Sequence, residues 1–275
     1  MRYEIRAMSF AEILDMGFRL LRDHFLLVVG LAATLQVPLA VLQAWAGARF
    51  AAHSAGAGQI AAAVLVALGI IVVGPAVGAA VTYALGETYL GRSATMGGAL
   101  GRAFRILKPL IGTMLLVWLV VLAGALVSVL PFALVRFTVS APVPRALAVV
   151  VLVPIALFTV FYLIVAFMLT TQVMVLEQRF GGAALRRSRA LMRGNVIRGL
   201  GVTTVGALIV GVLGGVLQLA LGFVPLVGPV AKGLTQAAAT GYTSAVLVVL
   251  YFDIRCRKEA FDLDHLADLV AGAPA

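Results

Sequence analysis

The chain has 275 residues, of which 63% are hydrophobic and only 12% charged, and its mean hydropathy is +1.10. A soluble domain carries about 25% charged residues to cover its surface, so the composition excludes a water-soluble enzyme, a disordered chain and a secreted disulfide scaffold. Cys256 is the single cysteine, which rules out an intrachain disulfide, and the net charge of +10 calls for either a topological or a ligand-binding explanation.

The first predicted element is a short amphipathic helix. Ser9 and Glu12 have the spacing of a capping box. Phe10, Ile13, Leu14, Gly17 and Leu21 then fall on one side, and Glu12, Asp15, Arg19, Arg22 and Asp23 on the other, with Asp15 and Arg19 placed to pair at i,i+4. The first apolar run, about Phe25–Trp45, is long enough to cross a hydrocarbon core of about 30 Å. It is too long for a signal-peptide core and follows a charged amphipathic segment, so it is expected to be retained. The Gly- and Ala-rich stretch Gly47–Gly58 leads to a second run, Gln59–Leu85. In the segment Glu87–Lys108, Met96, Leu100, Phe104 and Leu107 oppose Arg102, Arg105 and Lys108, predicting a second amphipathic helix. Runs three and four, Pro109–Val135 and Ala146–Gln172, flank Arg136–Arg145 with its Pro142 and Pro144. A third charged segment, Glu177–Arg198, precedes Val196–Gly222 and Pro229–Ile254, which are joined by the tight connection Phe223–Gly228. The expected fold is thus an all-α integral membrane protein with six transmembrane helices.

The three short segments share a register. Leu14, Leu100 and Leu185 recur at about 85 residues, as do Arg22, Lys108 and Arg193, and the small residues Gly17, Ala103 and Ser188 keep step with them. The predicted unit is an amphipathic interfacial helix followed by a transmembrane hairpin, three times over. Repeat 1 covers about 9–90, repeat 2 about 91–176 and repeat 3 about 177–256, in one membrane domain with a tail at 257–275. Such short helices serve equally as interfacial anchors or as elbows packed on the bundle.

Topology follows from Lys and Arg. Seventeen lie on the side of the two termini and four (Arg49, Arg136, Arg145 and Lys232) on the other, which places both termini in the cytoplasm. All eleven carboxylates fall on the terminal side as well. The positive excess is explained by this bias and needs no nucleic acid partner; its expected ligands are anionic phospholipids.

Candidate headgroup-binding residues are therefore Arg186, Arg187, Arg189, Arg193 and Arg198, with Arg102, Arg105, Lys108, Arg19 and Arg22. Arg186, Arg189 and Arg193 share one helical face, and the absence of acidic residues between Glu177 and Asp253 leaves the third cluster without a nearby partner in sequence. Gln36 and Gln43, seven apart, with Gln218, Gln236, Thr240 and Ser244, form the polar set of the spans and the alternative candidate, a polar cavity. Gly74/Gly78 and Gly211/Gly215 have the spacing of close helix packing, and Pro75 and Pro154 fall inside spans. No catalytic constellation and no cofactor motif is found. His53 is isolated, and Asp262, Asp264, His265 and Asp268 read as the polar side of an amphipathic tail rather than a metal site. Cys256 is expected to be a buried or idle thiol, with acylation as the sharper alternative.

Three segments carry a family resemblance: Ser9-Phe-Ala-Glu-Ile-Leu-Asp-Met-Gly-Phe-Arg-Leu-Leu-Arg22, the stretch from Val175 to Gly194, and Leu250-Tyr-Phe-Asp-Ile-Arg-Cys-Arg-Lys-Glu-Ala-Phe-Asp-Leu263. They resemble bacterial proteins of the glycerophosphoryl diester phosphodiesterase membrane-domain family. The catalytic barrel fused to some of those proteins opens with His-Arg-Gly and uses a Glu-x-Asp pair, and neither element occurs in this chain. The resemblance implies a stand-alone polytopic membrane module and does not imply phosphodiesterase activity. The expected function is a non-enzymatic, lipid-interacting scaffold or accessory subunit of a bacterial envelope process, associating with anionic phospholipids and with other membrane proteins. The alternative is a permease for a small molecule or lipid. Sequence leaves the oligomeric state open.

Overall fold

The structure, a computed structural model, describes residues 3, 5–52, 57–138, 142–224 and 227–263. These residues form α1 (Phe10–Asp23), α2 (Phe25–Ala52), α3 (Ala57–Tyr89), α4 (Met96–Arg105), α5 (Leu107–Thr138), α6 (Pro142–Ala166), α7 (Thr170–Leu176), α8 (Gly182–Met192), α9 (Val196–Leu221) and α10 (Val227–Glu259), with no strand among them. Six stretches are long and apolar enough to cross a membrane: Phe25–Ala48, Gly58–Tyr89, Leu107–Pro131, Ala148–Leu176, Val196–Leu221 and Val227–Glu259. The helices overrun the expected spans. Of the predicted connection Gly47–Gly58, residues 47–52 continue α2 and 57–58 open α3, where alanine favours helix.

The fourth span is broken rather than continuous. Between α6 and α7, Met168 N–H donates to Val165 and Thr170 N–H to Phe167, a tightened i→i−3 pattern, and the Thr170 hydroxyl donates to the Phe167 carbonyl at 2.6 Å. The break swings α7 against α3, where Leu176 lies over Gly86. His53, Asp264, His265 and Asp268 lie outside the described residues.

The sixth span, α10, is the least apolar of the six and the most enclosed. Of its apolar stretch 72% is buried, against 6% for the fourth span. A helix facing lipid must be apolar all round, whereas one walled in by protein can carry polar groups that its neighbours satisfy. Small residues make the enclosure possible. Gly233, Ala237 and Gly241 form a stripe at i,i+4 spacing on α10. A methyl group at Gly233 would sit 2.7 Å from the Val37 Cα, and one at Gly241 would sit 2.8 Å from Val28 Cγ1. α1 lies in the groove between α9 and α10: Gly17 abuts Val246, and Phe10 covers Gly201.

This packing corrects the expectation for the Gly-x-x-x-Gly pairs. A methyl group at Gly74, Gly78, Gly211 or Gly215 would meet no atom within 4 Å. None of the four is a point of close helix contact, and Gly74 instead borders a cavity described below. A second correction concerns α4. Its buried residues are Ala99 and Ala103, with Ile106 following, whereas Met96 and Phe104 are exposed. The small side chains let α4 approach the bundle closely, Leu100 packs partly against the core and the Met96 methyl reaches Gly30, while Phe104 is about half exposed.

The capping box is formed: Ser9 N–H donates to Glu12 and the Ser9 hydroxyl accepts from Glu12 N–H. Arg6 also donates to Glu12 at 2.7 Å, and chiefly this bond, with Ser9, lowers the Glu12 carboxyl to about 2. Asp15 and Arg19 pair at 3.0 Å.

Candidate functional site

The densest polar chemistry lies where the N-terminal segment meets the C-terminal half of α10. Asp253 on α10 has a fully buried side chain, and its neighbours neutralise and orient it. Met8 N–H donates to Oδ1 at 2.7 Å, Arg257 Nε approaches Oδ1 at 3.1 Å, and Arg198 Nε lies 3.0 Å from Oδ2. The guanidiniums of Arg198 and Arg257 both donate to the Met8 carbonyl as well. One residue of the N-terminal segment is thus gripped at both its backbone groups, which ties α1 to α9 and α10.

A second knot sits beside it. Arg187 on α8 donates from Nε to both Glu177 oxygens at 2.9 Å, and its two terminal nitrogens donate to Glu259, Nη1 to Oε1 and Nη2 to Oε2. These bonds, to Glu259 first, raise the Arg187 pKa further above its ordinary range, against the opposing effect of burial. Tyr251 donates to Glu177 at 2.8 Å, and Arg255 pairs with Glu259 while lying over the Phe261 ring at 4.2 Å. Lys258 donates to the carbonyls of Ala190 and Arg193, capping the C-terminal end of α8, where a cation favours the helix dipole. A guanidinium does not deprotonate in proteins, so each of these carboxylates keeps a charged partner across the knot. The knots hold helices together.

The ten predicted headgroup residues are therefore sorted into groups. Arg187 and Arg198 are corrected: they face inward and are taken up by Glu177, Glu259 and Asp253, partners remote in sequence or beyond the interval of 177–253. Arg19 and Arg22 are exposed but paired with Asp15 and Asp23. Arg102, Arg105, Lys108, Arg186, Arg189 and Arg193 make no ion pair with a described residue, and all but Arg102 are exposed.

At the other end of α10 lies a cavity of about 260 Å³ lined by Gln36, Leu39, Ala40, Gln43, Ile70, Val73, Gly74, Lys232 and Gln236. Three residues of the predicted polar set, Gln36, Gln43 and Gln236, meet here. Thr240 accepts a hydrogen bond from Gln36 Nε2 at 2.8 Å at the inner end. Gln218, on α9, and Ser244, buried further along α10, do not line the cavity. Lys232 reads in sequence only as a topological charge, yet it stands four residues before Gln236 and donates to Gln43 at 3.1 Å. That spacing is the available signal. The Gln36 side-chain oxygen is buried without a partner, a state that costs about 1–3 kcal/mol.

Among the described residues no group of three His, Cys, Asp or Glu is arranged to hold a metal ion, and Cys256 is buried.

The fold and these sites define the class: a multi-pass, all-helical membrane protein with a salt-bridged terminal end. The chain belongs to the family described as "Domain of unknown function (DUF8558)", whose model matches residues 60–255. That stretch runs from the second span to residue 255 near the end of the sixth and includes Arg198 and Asp253 of the first knot and Glu177, Arg187, Tyr251 and Arg255 of the second. No curated protein and no solved structure matches the chain.

Proposed function

We propose that the protein is a non-enzymatic membrane module of the bacterial cytoplasmic membrane, with both termini cytoplasmic, that gathers anionic phospholipids around its terminal end as a scaffold or accessory subunit. The observation that carries this reading is the sorting of the cations. Four of the ten are neutralised by carboxylates of the chain, and the six on α4, the start of α5, and α8 with its C-cap remain without a described carboxylate partner. Each such charge near an anionic leaflet contributes about 1 kcal/mol of attraction, and the guanidinium fork suits phosphate. The exposed Phe104 adjoins the exposed Arg105 on α4, so an apolar and a charged group reach the boundary together. The three-unit organisation belongs to the same proposal: Gly17, Ala103 and Ser188, which share the 85-residue register, are all buried. The resemblance to membrane domains of the glycerophosphoryl diester phosphodiesterase family agrees with a membrane module.

A permease is the second reading, favoured by the cavity lined with Gln36, Gln43 and Gln236. The Gln36–Thr240 hydrogen bond beside the cavity favours a recess over a path.

The test changes Arg186, Arg189 and Arg193 together to Gln. Insertion should survive on the remaining positive-inside charge. Retention of dioleoyl-phosphatidylglycerol by the purified protein should weaken, by up to about 3 kcal/mol in summed attraction, and become less dependent on salt. Unchanged retention in a correctly inserted variant would overturn the proposal.

A further inference from the structure

The cavity between α2, α3 and α10 lies at the opposite end of the molecule from the cationic residues, and it holds an unmatched hydrogen-bonding requirement. Gln36 is only 8% exposed and lines the cavity, and its Oε1 has no partner. Turning the amide over would let Oε1 accept from Thr240 and would leave the NH₂ unpartnered instead. In either orientation one end of a carboxamide that borders the cavity is left without a partner. A hydroxyl, which both donates and accepts, satisfies either end.

Two turns further along α2, about 10.5 Å by helix rise, Gln43 accepts from the Lys232 ammonium. Lys232 is exposed on α10, and no carboxylate pairs with it among the described residues. The mouth of the cavity therefore presents a positive charge with its remaining N–H donors. The third wall is apolar. Leu39 and Val73 close it, Ile70 is half exposed on the outside of α3, and Gly74 contributes no side chain, so that a methyl group there would meet nothing within 4 Å. Positive mouth, hydroxyl-seeking inner end and apolar flank describe an amphiphile.

We propose that this recess binds one anionic lipid whose polar head carries a hydroxyl. The anionic group pairs with Lys232, the hydroxyl completes the Gln36 amide, and the hydrocarbon leaves along Ile70. This goes beyond the lipid-gathering reading, since it is a single site of defined chemistry at the other end of the bundle. The volume of about 260 Å³ equals the liquid share of about nine waters at roughly 30 Å³ each, enough for a small head but not for the chains.

The experiment uses the full chain carrying Gln at 186, 189 and 193, so that lipid held by those arginines does not mask the recess. Binding of dioleoyl-phosphatidylglycerol and of free sn-glycerol 1-phosphate is measured by native mass spectrometry. Three forms are compared: this background alone, with Gly74→Leu to fill the space, and with Lys232→Met to remove the charge. The lipid should bind the background one-to-one; Lys232→Met should weaken it about tenfold or more, as expected when a charge-assisted hydrogen bond is lost, and Gly74→Leu should weaken it to a similar extent by occupying the space. Equal affinity in all three forms, or no one-to-one lipid adduct, overturns the proposal. Binding of the free phosphate but not the lipid, with the same dependence on Gly74 and Lys232, also overturns it by assigning the recess to a soluble anion. Because the arginines are already replaced, failure here leaves the proposal for the opposite end untouched.

Discussion

Replacing Asp253 by asparagine tests whether the terminal knot holds the fold. The new side chain is isosteric and can still accept from Met8 N–H, so the change removes charge rather than shape. What remains is two guanidiniums, Arg198 and Arg257, facing each other across a neutral amide and sharing the Met8 carbonyl. Removing one partner of a buried ion pair costs about 3–5 kcal/mol, because the other charge stays behind. Arg198 and Arg257 are 22% and 39% exposed, so water reaches them partly, and the lower end, about 3 kcal/mol, is the expected loss. Arg257→Ala, which touches the more exposed partner and leaves Arg198 on Asp253, should cost only about 1 kcal/mol. The assay is reversible unfolding in mixed micelles with increasing sodium dodecyl sulfate, followed by circular dichroism. Tyr251 and Phe252 are neighbours of the knot, so near-ultraviolet signals report on the same region. A loss below about 1 kcal/mol for Asp253→Asn would refute the reasoning, as it would mean that the carboxylate makes no net contribution where it lies.

Two further outcomes follow from the same geometry. Gly233→Ala should destabilise by about 1–3 kcal/mol, since its methyl group would press on the Val37 backbone, whereas Gly211→Ala, which meets open space, should be neutral or stabilising by up to about 1 kcal/mol; thermal unfolding of the two variants side by side decides it. Glu12 titrates at about 2 in the folded protein, below its unfolded value, so its contribution is present above the ordinary carboxylate pKa and is lost as pH falls through about 2; Glu12→Gln should flatten the acid limb of a stability profile measured from pH 6 to pH 2.

Features set by local composition and periodicity are readable from the chain without its fold. Six spans follow from uninterrupted apolar length, because in hydrocarbon only a helix satisfies its own backbone. The capping box at Ser9 and the Asp15–Arg19 pair rest on partners three and four residues apart. The polar positions Gln36, Gln43 and Gln236 are legible as residues out of place in a span, although only packing could gather them around one recess and exclude Gln218 and Ser244. Which of the cations between Arg186 and Arg198 are free is a matter of packing alone. Arg187 and Arg198 look in sequence like Arg186 and Arg189, yet their counterions Glu177, Glu259 and Asp253 stand 10, 72 and 55 residues away, and no local pattern encodes that meeting. The same holds for the glycines that permit close approach. Spacing proposes Gly74/Gly78 and Gly233/Ala237/Gly241 on equal terms, and only the side on which α2 lies makes the second stripe the contact. A helix pattern fixes which residues share a face; which neighbour that face meets depends on every other helix in the bundle.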